Sequence, residues 1–311
     1  MSSYVSKQTF KRNTLKKVIR NKTLYLFLAP AVLYLLIFQY VPLYGMQIAF
    51  KDFAPVKGIW GSDWVGLKHF EQFFRSYSFR MLLENTLLLS FYQLIVGFPL
   101  PIVLALVVHY TPFPRLKKIT QTVTYAPHFI SIVVLVGMMF VFLSPTNGIV
   151  NIIVRELGGK PIDFLGNPAI FRHLYVWSGV WQTMGWASIL YIATLAGVNP
   201  ELHEAAIVDG ASKWQRIWRI DLPSILPTII VLLILDAGHI MNIGFEKTFL
   251  MQTPPNLSKS EVISTYVYKI GIQGAQFSYA SAIGMFNNAI NFIVLLAVNR
   301  AANKTTNNGL W

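Results

Sequence analysis

Long apolar runs alternate with shorter polar connections along nearly the whole chain. Crossing the hydrocarbon core of a bilayer takes about 20 helical residues at about 1.5 Å each. Six runs meet that length: Leu24–Ala49, Met81–Val108, Tyr125–Leu143, Leu174–Val198, Ile225–Ile243 and Tyr279–Val298. The pattern predicts an all-α membrane protein with six transmembrane helices. The fifth run is the weakest of them, because it carries Asp236 and His239. The first is too long for the apolar core of a signal peptide and is followed by no clean small-residue cleavage site, so it reads as a retained span. Proline and glycine recur inside the runs, where they can kink a helix or let neighbours approach closely.

Composition supports a membrane solvent. Hydrophobic residues make up 54% of the chain and charged residues 13%, roughly half the charged share of a soluble domain. That excludes a soluble enzyme, and the apolar content excludes disorder. The net charge of +13 comes from 26 Lys and Arg against 13 Asp and Glu. These bases are spread between the apolar runs rather than gathered in one patch, which is a topology signal and not the footprint of nucleic acid. An even number of spans puts both termini on one side. That side would hold 15 bases, the other 11 bases over longer loops with seven acids. The shorter, more basic side is expected to be cytoplasmic. The expected organisation is a basic cytoplasmic segment over residues 1–23, a membrane domain over 24–300 and a polar cytoplasmic tail over 301–311. The absence of cysteine removes disulfides, thiolate metal sites and a cysteine nucleophile.

The connection between the fourth and fifth runs is more than a loop. Asn199 is a suitable N-cap for a helix whose first turn holds Pro200 and Glu201. Ile207, Ala211, Trp214 and Trp218 then recur at intervals of four, three and four, which is one apolar face at helical spacing. Gly210 costs about 1 kcal/mol in a helix interior and suits a turn or a close backbone approach. Two readings are open. The segment is an amphipathic helix lying on the bilayer, or a short helix–turn–helix whose small Ala205, Ala206 and Gly210 allow a partner to dock closely while Glu204 pairs with a basic group.

Within that segment, EAAIVDGASKWQRIWRIDLP (Glu204 to Pro223) resembles the coupling motif of binding-protein-dependent ABC importer permeases. PLYGMQIAFKDF from Pro42, WVGLKHF from Trp64, Asn85-Thr86-Leu87 and YAPHFIS from Tyr125 are similar to the carbohydrate branch, particularly its oligosaccharide and polysaccharide-fragment members. The resemblance covers most of residues 24–300 and implies the permease core of a type I ABC importer in the bacterial cytoplasmic membrane. It implies a homologous second permease, two cytoplasmic ATPase subunits, an extracytoplasmic solute-binding protein and a carbohydrate substrate. Glu204, Ala205, Ala206, Gly210, Ala211, Trp214, Leu222 and Pro223 would form the coupling segment within residues 199–223, with Glu204 as a polar contact and Gly210 as the turn. ATP and Mg would be bound by the partner ATPases. The chain has no GxxxxGK[ST] phosphate loop of its own, so it is expected to be a transport component and not an enzyme.

Ionisable and amide groups in apolar helices face protein or water. Asp236, His239 and Asn242 form one stripe of the fifth run, and Asn287 and Asn291 share a face of the sixth. They are either the lining of a sugar pathway or polar contacts between helices. Tyr92, Trp177, Trp181 and Trp186 can stack on sugar rings or simply pack. Two other function classes are weighed. A self-contained ion-driven transporter would use Asp236 as its ion site and would show an internal repeat. A membrane anchor would not need the complete motif spacing.

Overall fold

The computed structural model describes residues 20–306. The described residues are helical throughout except for turns and one pair of two-residue strands. Two units can be distinguished, residues 1–67 and 68–311.

In the first unit, helix α1 (Lys22–Phe50) is the first expected span. From residue 22 to 44 every side chain but Ala29 is exposed, and nearly all are apolar, as a lipid-facing helix requires. Its α-helical turns widen to a π-helical turn at Leu36–Tyr40, two residues before Pro42. Proline has no N–H to donate and its ring pushes on the carbonyl four residues back, so the helix opens there. Strands β1 (Lys51–Asp52) and β2 (Asp63–Trp64) then pair antiparallel, with Lys51 opposite Trp64. Phe50 and Trp64 stack with ring centres 5.7 Å apart.

The second unit begins with α2 (Lys68–Phe74) and α3 (Ser78–Tyr110). It continues through α4 (Pro114–Phe129), α5 (Ile132–Phe142) and α6 (Ile149–Glu156). Next come α7 (Pro168–Ala196), α8 (Pro200–Val208) and α9 (Lys213–Gly238). The last are α10 (Phe245–Met251), α11 (Ile263–Tyr268) and α12 (Phe277–Thr306). The 29-residue α7 is central, packing on α3, α4 and α9, while α9 packs on α12. Three apolar clusters fill the spaces between helices, around Phe171 and Val176, around Phe73 and Ile283, and around Leu195 and Ile225.

The expectation of six spans does not hold. Among the described residues, four helices are long and apolar enough to cross a membrane, α1, α3, α9 and α12, and α4 with α5 makes a fifth if taken as one span bent by 97°. The run Tyr125–Leu143 is broken: the chain tightens into a 3-10 turn at Ala126–Phe129, becomes extended at Ile130 and Ser131, and restarts as α5 with the Ser131 hydroxyl accepting from Val134 N–H at 3.3 Å. The run Leu174–Val198 lies in one helix, α7, as far as Ala196. Its length suffices but its polarity does not, since Arg172, His173, Ser178, Gln182 and Thr183 are built into it. Counting run length overlooked that these polar groups have protein partners: Gln182 Nε2 donates to Ile130 O at 2.7 Å, Arg172 to Asn85 Oδ1 at 2.9 Å. The expected placing of both termini on the cytoplasmic side turns on residues 1–19 and 307–311, which lie outside the described residues.

Buried asparagines hold the long connections. Backbone groups that leave a helix inside an apolar protein must still find partners. Asn151 Nδ2 lies within donating distance of the carbonyls of Leu143, Ser144 and Ile162 (3.0–3.1 Å), and its Oδ1 accepts from Ile162 N–H at 2.8 Å. Asn256 ties Leu165 O and Met251 O in the same way, at 2.7 and 2.9 Å. Asn85, near the start of α3, reaches Ser258 O and Glu261 O, both at 3.0 Å.

Helices α7 and α4 approach closely at Gly185, where a Cβ would stand 2.0 Å from Thr124 O. Replacing Gly185 with alanine must separate α7 from α4, at a cost of roughly 1–3 kcal/mol. Gly137 has nothing within 4 Å of an added Cβ, so Gly137→Ala is expected to be neutral. Thermal unfolding of the two purified variants in detergent checks this: G185A should melt clearly below wild type and G137A with it.

Candidate translocation site and coupling segment

Helix α9 stops at Gly238, short of the expected span end at Ile243. Gly238 lies so close to α12 that a Cβ would meet Leu295 Cδ1 at 2.8 Å. Residues 239–244 then run without regular helix until α10 begins. The uncovered backbone groups are taken up by side chains from neighbouring helices. Met241 N–H donates to Asn291 Oδ1 at 2.8 Å, and Ile240 O accepts from the Ser90 hydroxyl. Asn287 Nδ2 donates to Asn242 Oδ1 at 2.9 Å.

This interruption opens a cavity of about 490 Å³. Its walls are Ser90, Gln93 and Gly97 of α3; Tyr175, Gly179, Gln182 and Thr183 of α7; Asp236 at the end of α9; and His239, Asn242 and Gly244 of the break. Lys247 of α10 also lines it, and apolar side chains such as Phe98 and Ile132 make up the rest. Three of the five expected pathway residues, Asp236, His239 and Asn242, are therefore brought together on one wall, and all three are exposed. Asn291 is not among the lining residues of this cavity; its carbonyl oxygen is committed to the break. Asn287 stands behind Asn242 and lines a second, more apolar cavity of about 550 Å³ beside Phe245, Tyr268 and Gly284.

Sequence reasoning missed the α7 wall and Lys247. Tyr175, Gly179, Gln182 and Thr183 recur at helical spacing, a polar stripe that was legible in the run. Lys247 carried no signal, because it falls in a connection. Its side chain is 5% exposed, with Nζ donating to Tyr175 O at 2.7 Å and lying 4.6 Å from the Tyr175 ring centre. Burial pushes its ammonium down to about 7. The aromatic expectations divide. Tyr92 is fixed by His173 Nδ1 at 2.8 Å and Trp177 Nε1 at 3.1 Å, and Trp186 stacks on His128 at 4.5 Å. Trp181 lines a separate apolar pocket with Trp177.

The segment over residues 199–223 folds as a helix, a turn and a second helix. Asn199 Oδ1 caps α8 by accepting from Glu201 N–H at 3.0 Å. The chain then reverses at Gly210, whose φ of +77° lies in the left-handed region that side-chain-bearing residues avoid. Ala211 N–H closes the turn on Ala206 O at 2.8 Å. Ser212 and Gln215 form a capping box that starts α9. Because of this turn, Ile207 and the two tryptophans stand on different helices and do not form the continuous face that their spacing suggested. Glu204, Ala205, Trp214 and Pro223 are exposed, whereas Ala206, Ala211 and Leu222 are half-buried. Trp214 and Trp218 are 72% and 67% exposed.

A residue that sequence reasoning passed over roots this segment. Asp221 is fully buried, accepts from the Tyr110 hydroxyl of α3 at 2.6 Å and lies 3.3 Å from His203 Nε2 of α8. Three elements thus meet on one carboxylate. With His109, these side chains bring three metal-ligating atoms within 4.8 Å of one another, but one Asp221 oxygen is already engaged by Tyr110.

Residues 97–304 match the family described as binding-protein-dependent transport system inner membrane component. The chain belongs to that family. It is 40% identical over its full length, and over 97% of the relative, to the polygalacturonan/rhamnogalacturonan transport system permease protein YteP of Bacillus subtilis (strain 168). Protein LplB of the same organism is 42% identical over 94% of this chain and 92% of its own. A crystal structure of a bacterial ABC transporter involved in the import of the acidic polysaccharide alginate contains a chain 40% identical, superposing with a TM-score of 0.88 over 94% of this chain and 99% of that one. The protein is thus a multi-pass permease component of the bacterial inner membrane, and ATP hydrolysis resides in a separate subunit.

The break after α9 depends on its two side-chain partners. Ser90→Ala and Asn291→Ala each strand a buried backbone group, at a cost of roughly 1–3 kcal/mol. Both variants should melt below wild type in detergent. Unchanged melting of both would mean that the break does not need these partners.

Proposed function

We propose that this permease imports a carbohydrate, delivered as an oligosaccharide, through the cavity between α3, α7 and the interrupted end of α9. The observation that carries the reading is the polar wall of Asp236, His239, Asn242, Gln182 and Thr183 around about 490 Å³ of space in a membrane helix bundle. Hydroxyl-rich cargo needs such closely set donors and acceptors, and lipid would not tolerate them. The relatives support the substrate class, being named for polygalacturonan and rhamnogalacturonan transport and for alginate import. A second structure of the alginate transporter, with a chain also 40% identical and a TM-score of 0.88, is in complex with an alginate-pentasaccharide-bound periplasmic protein, which supports delivery by a solute-binding protein.

The working assembly is this chain with a homologous second permease, two ATPase subunits and the binding protein. The 204–223 segment is the contact with one ATPase. Exposed Glu204 supplies a polar contact, the small Ala205 and Ala206 allow close docking, and the Gly210 turn presents α8. Ala211 and Leu222 support the turn from within, while Trp214 and Pro223 flank the dock. Asp221 anchors both helices, so movement of α8 is passed to α9, whose far end forms the cavity wall.

Affinity purification of the tagged chain in mild detergent, with quantitative mass spectrometry, should recover one copy of a second permease and two of a Walker-motif ATPase. Gly210→Val forces a branched side chain into the left-handed region. It should either lose the ATPase or keep it with hydrolysis no longer stimulated by loaded binding protein. Normal assembly with normally stimulated hydrolysis would sink the coupling role.

A further inference from the structure

A buried lysine without a carboxylate partner is a costly object, because an ammonium taken out of water needs compensating charge. Lys247 is such a residue. No described carboxylate pairs with it, and its one hydrogen bond goes to the neutral Tyr175 carbonyl. That bond uses one N–H of three. Its Nζ stands beside Gly179, where a Cβ would come within 3.1 Å, and the Gln93 side-chain amide flanks the same point, its nitrogen 3.7 Å and its oxygen 3.5 Å from that Cβ position. The Gln93 oxygen is buried and has no partner. Both groups line the cavity.

A strap between α10 and α7 needs only a donor for Tyr175 O, which serine, threonine or glutamine can supply without the cost of a buried charge. What a lysine adds is a cation. Asp236, the one carboxylate among the described lining residues, belongs to the wall formed by the end of α9. The cavity therefore offers on one side an amine that an anion can hold in its charged form, and on another a wall of hydroxyl-binding groups.

We propose that the cavity takes an anionic saccharide, one carboxylate of which seats on Lys247 with the Gln93 amide donating beside it. The proposal rests on the carbohydrate reading and adds the charge of the cargo and the residue that reads it. A carboxylate at Lys247 supplies the missing counter-charge and holds the ammonium protonated when loaded, whereas a neutral sugar supplies none. Discrimination arises in the membrane subunit itself, in addition to any made by a binding protein.

The test uses the complete importer in proteoliposomes with a uronic-acid trisaccharide and its carboxyl-reduced neutral counterpart, both at concentrations saturating the binding protein. Lys247→Met keeps the length of the side chain without the charge. It should lower the ratio of acidic to neutral uptake at least about tenfold, the equivalent of one charge-assisted hydrogen bond, and Lys247→Arg should restore most of it. A second readout bypasses the binding protein: acylation of Lys247 in the purified permease–ATPase complex should be slowed by the acidic sugar and not by the neutral one. An unchanged uptake ratio in K247M, or equal protection by both sugars, would overturn the assignment of Lys247 while leaving carbohydrate import standing. A wild-type importer that moves neither sugar would count against the carbohydrate reading and remove this inference with it.

Discussion

Backbone hydrogen bonding at membrane depth is the constraint on which this structure depends. A helix that stops among apolar neighbours uncovers N–H and C=O groups that no water can reach. Here several interruptions are met by side chains from elsewhere in the fold. Ser90 and Asn291 serve the break after α9, and Gln182 serves Ile130 at the bend between α4 and α5. Asn85, Asn151 and Asn256 do the same for the long connections. The central cavity is a consequence: residues 239–244 can line it without regular helix only because their backbone is held from behind.

The same logic ties the cavity to the helix–turn–helix over residues 199–223. Asp221 and Asp236 lie 15 residues apart on α9, about 22 Å if the helix is regular. Asp221 is fixed between Tyr110 and His203, so displacement of α8 acts on the root of α9 through a buried contact instead of through flexible loop. The helix is not uniform between these points. A π-helical turn at Ile217–Asp221 precedes Pro223 by two residues, the same relation that Leu36–Tyr40 bears to Pro42 in α1. Both are places where a missing proline N–H loosens the ladder and a helix can change its winding at low cost.

Much of this was legible in the sequence. Apolar run length found α1 and α3 nearly to their ends and the start of α12, which continues eight residues past Val298, and capping chemistry found Asn199. The motif spacing located the segment that turns at Gly210. The failures have a common cause. Run length treats each helix as if it faced lipid alone, so it missed that α7 is a polar helix embedded among others, that Tyr125–Leu143 bends at Ile130 and that α9 ends early. Polar residues were weighed within their own run, which found Asp236, His239 and Asn242. Lys247, Asn151 and Asn256 lie in connections, and their partners are distant in sequence, so no periodicity pointed to them. For Asn291 the run leaves lining and helix contact equally open, because an amide at depth must face something polar; that it faces Met241 N–H is tertiary information.

The chain contains no cysteine, so one introduced thiol reports on one position. Thr183→Cys on the cavity wall and Ile293→Cys on the exposed apolar side of α12 can be compared in the assembled importer with a hydrophilic, membrane-impermeant thiol reagent. If the space between α3, α7 and α9 is the transport path, Thr183→Cys will react, at a rate that depends on nucleotide and falls when transported saccharide is present. Ile293→Cys will remain unreactive throughout. Reaction at Ile293→Cys with none at Thr183→Cys, or a Thr183→Cys rate indifferent to nucleotide and saccharide, would contradict the path described here.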